Sequence, residues 1–338
     1  VPYSEGEKRT LAALLTDNPP DLVNLTPDFS LMLAQKNALF FIDEQFLDSY
    51  IPSLSDALAY KGKYFGIPFY ATSAVTLYNS ELTKKMHLTQ MPVTYDDLFN
   101  IPFEKKDSFY LTMISFSEND TLLKLLNKYS INSPETINGN KSILLFEKFK
   151  QMYDRGSFPK ESVTQTHRDA LEKYMSGQLA FLVTGANFIN MINENAPDIY
   201  KNTGVLPQLT GDTKAYDYSL MNFIIPKKAK HKQEALKFAL FLTNKENQLE
   251  FAKLTSILPV NKFALQDEYF IQNSNSDIKV QARKISAQQL YNLQTPLNNI
   301  KNKKDLNTLS ANCIQSILIN NKNIQETLDN FALYWQKL

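Results

Sequence analysis

The feature that most constrains this chain is the run YFGIPFYATSAVTLYN from Tyr64 to Asn79, its longest stretch of aromatic and β-branched residues. Such residues pack well on a pleated surface, so the run reads as strand. Pro68 sits inside it. A proline in mid-strand removes a ladder hydrogen bond, so two strand pieces joined by a bend are expected.

Around this run, short buried strands alternate with helices. Ser4 and Glu7 form a possible capping box for an opening helix that Pro19 and Pro20 end. Asp21 to Leu25 reads as a short strand, and a helix follows from Asp28. Thr94 and Asp97 predict another capping box, with Val93 placed to pack on Leu98. A helix through Leu171, Tyr174 and Met175 ends at Gly177, and the strand Leu179–Val183 stops at Thr184-Gly185-Ala186-Asn187. Phe188 starts the next helix. Asn222 to Pro226 reads as a strand, followed by a long amphipathic helix through Ala235, Leu236 and Leu242 that continues to Leu254. The tail reads as two helices, Leu306–Ile319 and Ile324–Leu338. This rhythm is that of an α/β protein, and 338 residues are enough for two domains.

Composition removes several function classes. With 36 basic and 35 acidic residues the formal charge is +1, which gives no reason to expect nucleic acid as partner. No apolar run approaches the roughly 18 residues of a membrane span. The sequence opens on VPYSEGEKRTL with no signal peptide. The three histidines, His87, His167 and His231, are far apart and form no metal motif. No nucleophile elbow or phosphate-binding glycine motif is present, so no catalytic residue, metal or cofactor is expected. Cys313, the single cysteine, lies on the apolar stripe of Leu306, Leu309 and Ile317 and reads as core. What remains is 17 Tyr and 22 Phe, several of them (Tyr70, Tyr110, Tyr218, Tyr291) at strand or turn ends. Aromatic rings stack on the C–H faces of sugars, and strand ends of α/β proteins are where ligands bind.

Six segments in order carry a resemblance: PPDLVNLTPDFSLMLAQKNALFFID, YKGKYFGIPFYATSAVTLYNSELTKKM, PVTYDDL, ALEKYMSGQLAFLVTGANFINMI, FIIPKKAKHKQEALKFALFLTNKENQLEFAKLTSILPV and ETLDNFALYWQKL. Together they resemble the extracellular solute-binding protein family 1 of bacterial ABC importers, the maltose-binding-protein-like group. Two departures stand out. That family places a strand and helix of about 40 residues before the point where this sequence starts, and Asn187 stands where many sugar binders have an aromatic residue.

The resemblance implies the periplasmic-binding-protein-like class II fold, two α/β lobes joined by a three-segment hinge. Residues 1–72 and 222–291 would form the N-terminal lobe, lacking its first strand and helix, and 76–219 with 297–338 the C-terminal lobe. Crossings are expected near Ala71–Thr76, Ser219–Asn222 and Tyr291–Leu297. It implies a non-enzymatic binding protein that captures a small carbohydrate or glycosylated polyol in an interlobe cleft, by hinge closure, and delivers it to the importer's membrane permease subunits. Its place would be the periplasm or, lipid-anchored, the outer face of the cytoplasmic membrane, as a monomer. Residue by residue, Asn24, Thr26 and Asp28 would bind hydroxyls from the first lobe, and Tyr70 and Ala71 would line the hinge side. Tyr110, Gly185, Ala186 and Asn187 would face from the second lobe, with Met221, Asn222, Tyr291 and Gln294 at the crossings. The alternative from another class is a carbohydrate-active hydrolase with a scattered carboxylate pair.

Overall fold

The run around Pro68 forms one strand, not two. The computed structural model describes residues 3–14, 16–105, 108–118, 120–274, 277–295 and 302–338, with side chains 3–5 and 7 left aside. The run becomes a thirteen-residue strand, Ile67–Asn79. Pro68 is tolerated because it is the second residue and the register slips between Pro68 and Tyr70, a bulge that spares the missing N–H. Numbered in chain order, the strands are β1 (Val23–Leu25), β2 (Ala59–Tyr60), β3 (Lys63–Tyr64), β4 (Ile67–Asn79), β5 (Tyr110–Thr112), β6 (Leu179–Gly185), β7 (Thr203–Pro207), β8 (Tyr218–Ile224) and β9 (Leu258–Pro259).

The chain forms two compact units. Unit 1 holds Val1–Ser73, Tyr218–Asn273 and Ser286–Asn298; unit 2 holds Ala74–Asp217, Ser274–Ile285 and Asn299–Leu338. Residues 274–285, expected in the first lobe as part of 222–291, thus belong to unit 2. The reason is packing: Ala282, with Ile278 and Ile285 beside it, joins the core of unit 2 near Ile199 and Tyr200.

In unit 1, β8 lies between β1 and the first half of β4, antiparallel to both, and β9 pairs with Tyr70 and Ala71. β8 starts at Tyr218, four residues before the strand expected at Asn222. Leu54, Leu58, Phe65, Ile67 and Ile224 form the dry centre of its core. Asn222 is fully buried there, and its amide donates to the Ser30 hydroxyl at 3.0 Å. Gly66 makes room for it, since a Cβ would stand 2.7 Å from Asn222 Nδ2 and 2.9 Å from the Phe223 carbonyl. The long helix expected through Leu254 is two helices. Lys232–Leu242 stops at Thr243, and Asn244 caps Lys245–Leu254 by accepting from the Asn247 N–H. The opening helix begins at Tyr3, which puts Ser4 inside it; the expected partnership with Glu7 lies outside the described side chains.

In unit 2, the second half of β4 lies between β6 and β7, antiparallel to both, and β5 adds to β6 in parallel. Gly204 of β7 faces Tyr78 of β4, whose ring fills the space a side chain would take: a Cβ would meet the ring at 2.1 Å. The Thr94–Asp97 capping box forms as expected, but Val93 stays 65% exposed and packs no staple on Leu98. The two tail helices are Lys303–Leu318 and Ile324–Trp335. Cys313 is core, and burial pushes its thiol up to about 12, so it is no nucleophile.

Lys128 is the one buried cation among the described residues, 1% exposed. Its ammonium pairs with Asp217 at 2.9 Å and donates to Gln208 Oε1 at 3.2 Å and the Ala215 carbonyl at 3.4 Å. Burial lowers its pKa and the Asp217 charge opposes that.

Two stability changes are expected in denaturant melts. Gly204→Ala costs about 1–3 kcal/mol by overpacking, and pairing it with Tyr78→Ala gives less than the sum of the two single losses. Asp217→Ala costs about 3–5 kcal/mol by stranding the Lys128 charge, whereas Lys128→Met costs less.

Candidate functional site

Each unit presents polar residues where its strands end. In unit 1 the relevant end is that of β1. Thr26 caps the helix Pro27–Gln35 in extended conformation without a side-chain cap bond, and Asp28 is exposed in its first turn, where a negative charge suits the helix dipole. The antiparallel register of β1 on β8 runs Leu25 beside Asn222 and so carries Thr26 toward Met221 and Asp28 toward the start of β8. There Tyr218 is largely buried, and burial first, then the Asp28 charge, pushes its hydroxyl above the ordinary tyrosine value. Tyr218 pairs with Ser73, whose hydroxyl accepts from Gln289 Nε2 at 2.7 Å.

Several expected residues join this group. Asn24 is exposed, Thr26, Tyr70 and Met221 are half-buried, and all lie on these adjoining strands. Tyr70 is held by edge contacts to Phe69 (5.1 Å) and Phe251 (6.5 Å). Ala71 and Asn222 are placed otherwise: both are fully buried, one in the apolar core and one committed to Ser30, so their side chains do not reach the surface of unit 1. Tyr291 is 61% exposed in the turn after the helix Ile278–Gln289, and Gln294 is buried.

In unit 2 the relevant end is that of β6. Gly185 pairs with Ala74, and the turn Gly185-Ala186-Asn187 leads into the helix Phe188–Asn195. The turn is tight, since a Cβ on Gly185 would stand 2.3 Å from Asn187 Oδ1. Asn187 is exposed, with its carboxamide folded over the glycine. Tyr110 does not join this group. β5 is parallel to β6 with Tyr110 beside Leu179, so Tyr110 stands at the starting end of the sheet, about 20 Å from Gly185 at about 3.3 Å per residue. There its ring carries the Lys105 ammonium 3.7 Å from the centroid.

What the sequence reading missed is His167. It opens the helix His167–Met175 behind the Thr166–Asp169 capping box. Its Nε2 shares a 2.9 Å hydrogen bond with the Thr184 hydroxyl, and its ring meets Phe188 edge-on at 5.6 Å. The Glu118 carboxylate, beyond the end of β5, accepts from the His167 backbone N–H at 3.1 Å. Ser73, Gln289 and Thr184 were also absent from the expected set, and Tyr218 was singled out only as an aromatic at a strand end. The signal for His167 was a T-x-x-D capping box placed one helix before a strand end. Among the described residues no group of three or more His, Cys, Asp or Glu is arranged to hold a metal ion, and no helix is long and apolar enough to cross a membrane.

Two α/β units, each with a polar strand end, are the design of a class of ligand-binding proteins, and comparison with known proteins identifies which. Residues 1–277 match the family described as bacterial extracellular solute-binding protein. The chain belongs to that family. A crystal structure titled "putative oligosaccharide periplasmic-binding protein", from Synechococcus sp. MITs9220, is similar at a TM-score of 0.87 and 26% identity, covering 100% of this chain and 89% of that one. A "putative binding protein" of Brucella abortus is 22% identical over 70% of this chain and 60% of its own length. The maltotriose-binding protein of Pyrococcus abyssi is 23% identical over 77% of this chain and 59% of its own length. The chain thus spans about 60% of the length of the curated relatives it matches. The fold class is the expected one, the two-lobed α/β fold of periplasmic binding proteins.

Burial holds the His167 pKa below its ordinary value, with Glu118 opposing. Between the folded value and about 6.5 the unfolded chain therefore binds more protons, so stability falls as pH drops through this window. Thermal melts from pH 7.5 to pH 5 should show this acid loss, and His167→Gln should reduce it.

Proposed function

We propose that this chain is the substrate-binding protein of an ABC importer, capturing a small carbohydrate or glycosylated polyol and passing it to the permease subunits in the membrane. The observation that carries the reading is the family match together with likeness, over the full chain, to a protein named for oligosaccharides. The maltotriose binder of Pyrococcus abyssi supports the same class of solute. The two strand ends fit it chemically. Asp28, Asn24 and Thr26 offer acceptors and donors for hydroxyls, Tyr70 offers a ring edge, and Asn187 offers a carboxamide. Gly185 and Ala186 leave backbone accessible beside it. Neither group includes a lysine or arginine, which favours a neutral sugar over a phosphodiester. On this reading the protein works as a monomer without cofactor or turnover, outside the cytoplasmic membrane, in the periplasm or held by a lipid anchor.

A thermal-shift screen of maltose, maltotriose, maltotetraose, trehalose and glycerophosphocholine, followed by calorimetry, tests it. A ligand at 100 times its Kd stabilises the folded state by about 2.7 kcal/mol. One neutral sugar should raise Tm, bind one per chain and be recovered unchanged; released monosaccharide would instead establish the hydrolase alternative, and no response to any sugar would sink the proposal. With the sugar found, Asp28→Ala should weaken binding about tenfold, the loss of a charge-assisted hydrogen bond worth about 1.5–3 kcal/mol.

A further inference from the structure

We infer that His167 is a positioning residue of the proposed solute site: its neutral imidazole fixes Thr184, and through it the Gly185–Asn187 turn, and the turn loosens when the imidazole is protonated. The inference rests on the solute-binding reading for its purpose, and on geometry for its substance.

Thr184 is 2% exposed, so its hydroxyl has little access to water and depends on protein partners. The 2.9 Å hydrogen bond joins it to His167 Nε2. A neutral imidazole leaves Nε2 free to accept the Thr184 proton or, in the other tautomer, to donate. An imidazolium can only donate. Where the neutral ring accepts, the hydroxyl must then turn its lone pair to the ring and aim its own proton elsewhere, with little access to water to receive it. The next residue is Gly185, whose Cα has no space for a Cβ beneath Asn187 Oδ1. A shift at Thr184 is therefore transmitted to Gly185 and to the Asn187 carboxamide folded over it. Phe188, the first residue of the following helix, packs edge-on against the same imidazole, so both ends of the turn are tied to one ring.

The groups facing His167 come from three directions. From the segment after β5, the Glu118 carboxylate holds its backbone N–H and is the charge that acts on its ring. From β6 and the helix after it come Thr184 and Phe188, neither charged. On its own helix, Arg168 turns outward to Glu172 at 3.5 Å and Asp169 is occupied by Thr166. Burial lowers the imidazole pKa and Glu118 only partly offsets it, which keeps the ring neutral near pH 7.

The test uses the full chain. Backbone amide NMR of Gly185, Ala186 and Asn187 is followed from pH 7.5 to pH 5 beside the His167 ring signals, with no solute present. The three amides should move together with the His167 titration in the native protein and stay still in His167→Gln, which keeps a polar nitrogen near Thr184 but does not titrate. If maltotriose binds at pH 7.5, its Kd should rise about threefold by the pH at which the ring signals show two-thirds of His167 protonated, as the neutral fraction falls. His167→Gln should lose this pH dependence whatever its own Kd, and His167→Leu should bind more weakly than the native protein at pH 7.5. Amides that ignore the His167 titration, or a pH dependence retained in His167→Gln, overturn the inference. Failure of maltotriose to bind at pH 7.5 counts against the choice of sugar in the proposed function, while the solute-free amides still decide the role of His167.

Discussion

Strand β4 is the constraint on which the rest of the structure depends. Its first half supplies the ladder for β8 and β9, and its second half the ladder for β6 and β7. Val75, Thr76 and Leu77 are all fully buried, so both faces of this half are covered at its centre. A slip of one residue would turn every one of these side chains to the opposite face. That makes the register of β4 the ruler for both strand ends. It sets Tyr218 opposite Ser73 in unit 1 and Gly185 opposite Ala74 in unit 2.

Where the governing interaction was local, the sequence was readable. The Thr94–Asp97 box, the Gly177 stop (φ +72°) and the strand starting at Leu179, which runs to Gly185, two residues past the expected Val183, all follow from residues within a few positions of one another. So did the core role of Cys313. The misreadings share a different cause. Pro68 appeared to divide a strand because nothing nearby announces the bulge that accommodates it. Tyr110 looked like a partner of Gly185 because the parallel register of β5 on β6 is set by segments about 70 residues apart in the chain, and only that register puts them at opposite ends. Asn222 read as a polar group at a crossing, but Gly66 and Ser30, both distant in sequence, draw it inward. The break at Thr243–Asn244 was a local signal that a continuous apolar pattern concealed.

Polar side chains divide into two kinds in this protein, those satisfied inside a core and those exposed at the strand ends, and the division bears on function. Asn222 with Ser30, Gln248 with the Phe69 carbonyl and the Val260 N–H, and Lys128 with Asp217 and Gln208 are satisfied inside one core, binding loops to sheets. Such networks rigidify what they touch when every member has a partner. They leave the strand ends with a firm backing, which a site needs if its exposed groups are to hold their geometry.

The pair His167 and Thr184 belongs to neither kind alone. It is buried enough to need its hydrogen bond, yet it lies directly behind an exposed turn. Many sugar binders place an aromatic ring at the position of Asn187; a ring recognises the apolar face of a sugar through contact area and tolerates small displacements of its backbone. A carboxamide recognises hydroxyls through hydrogen bonds that weaken steeply once distance or angle departs from ideal. On the proposed solute-binding reading, recognition by Asn187 at the end of β6 would depend on how well the backbone of the turn is held. The structure holds it from behind, with Gly185 closed by Asn187 in front and Thr184 anchored by His167. On that reading the His167–Thr184 anchor behind the turn and the Asn187 carboxamide in front of it would act together, because hydrogen bonds to hydroxyls need a turn held more closely than ring stacking does.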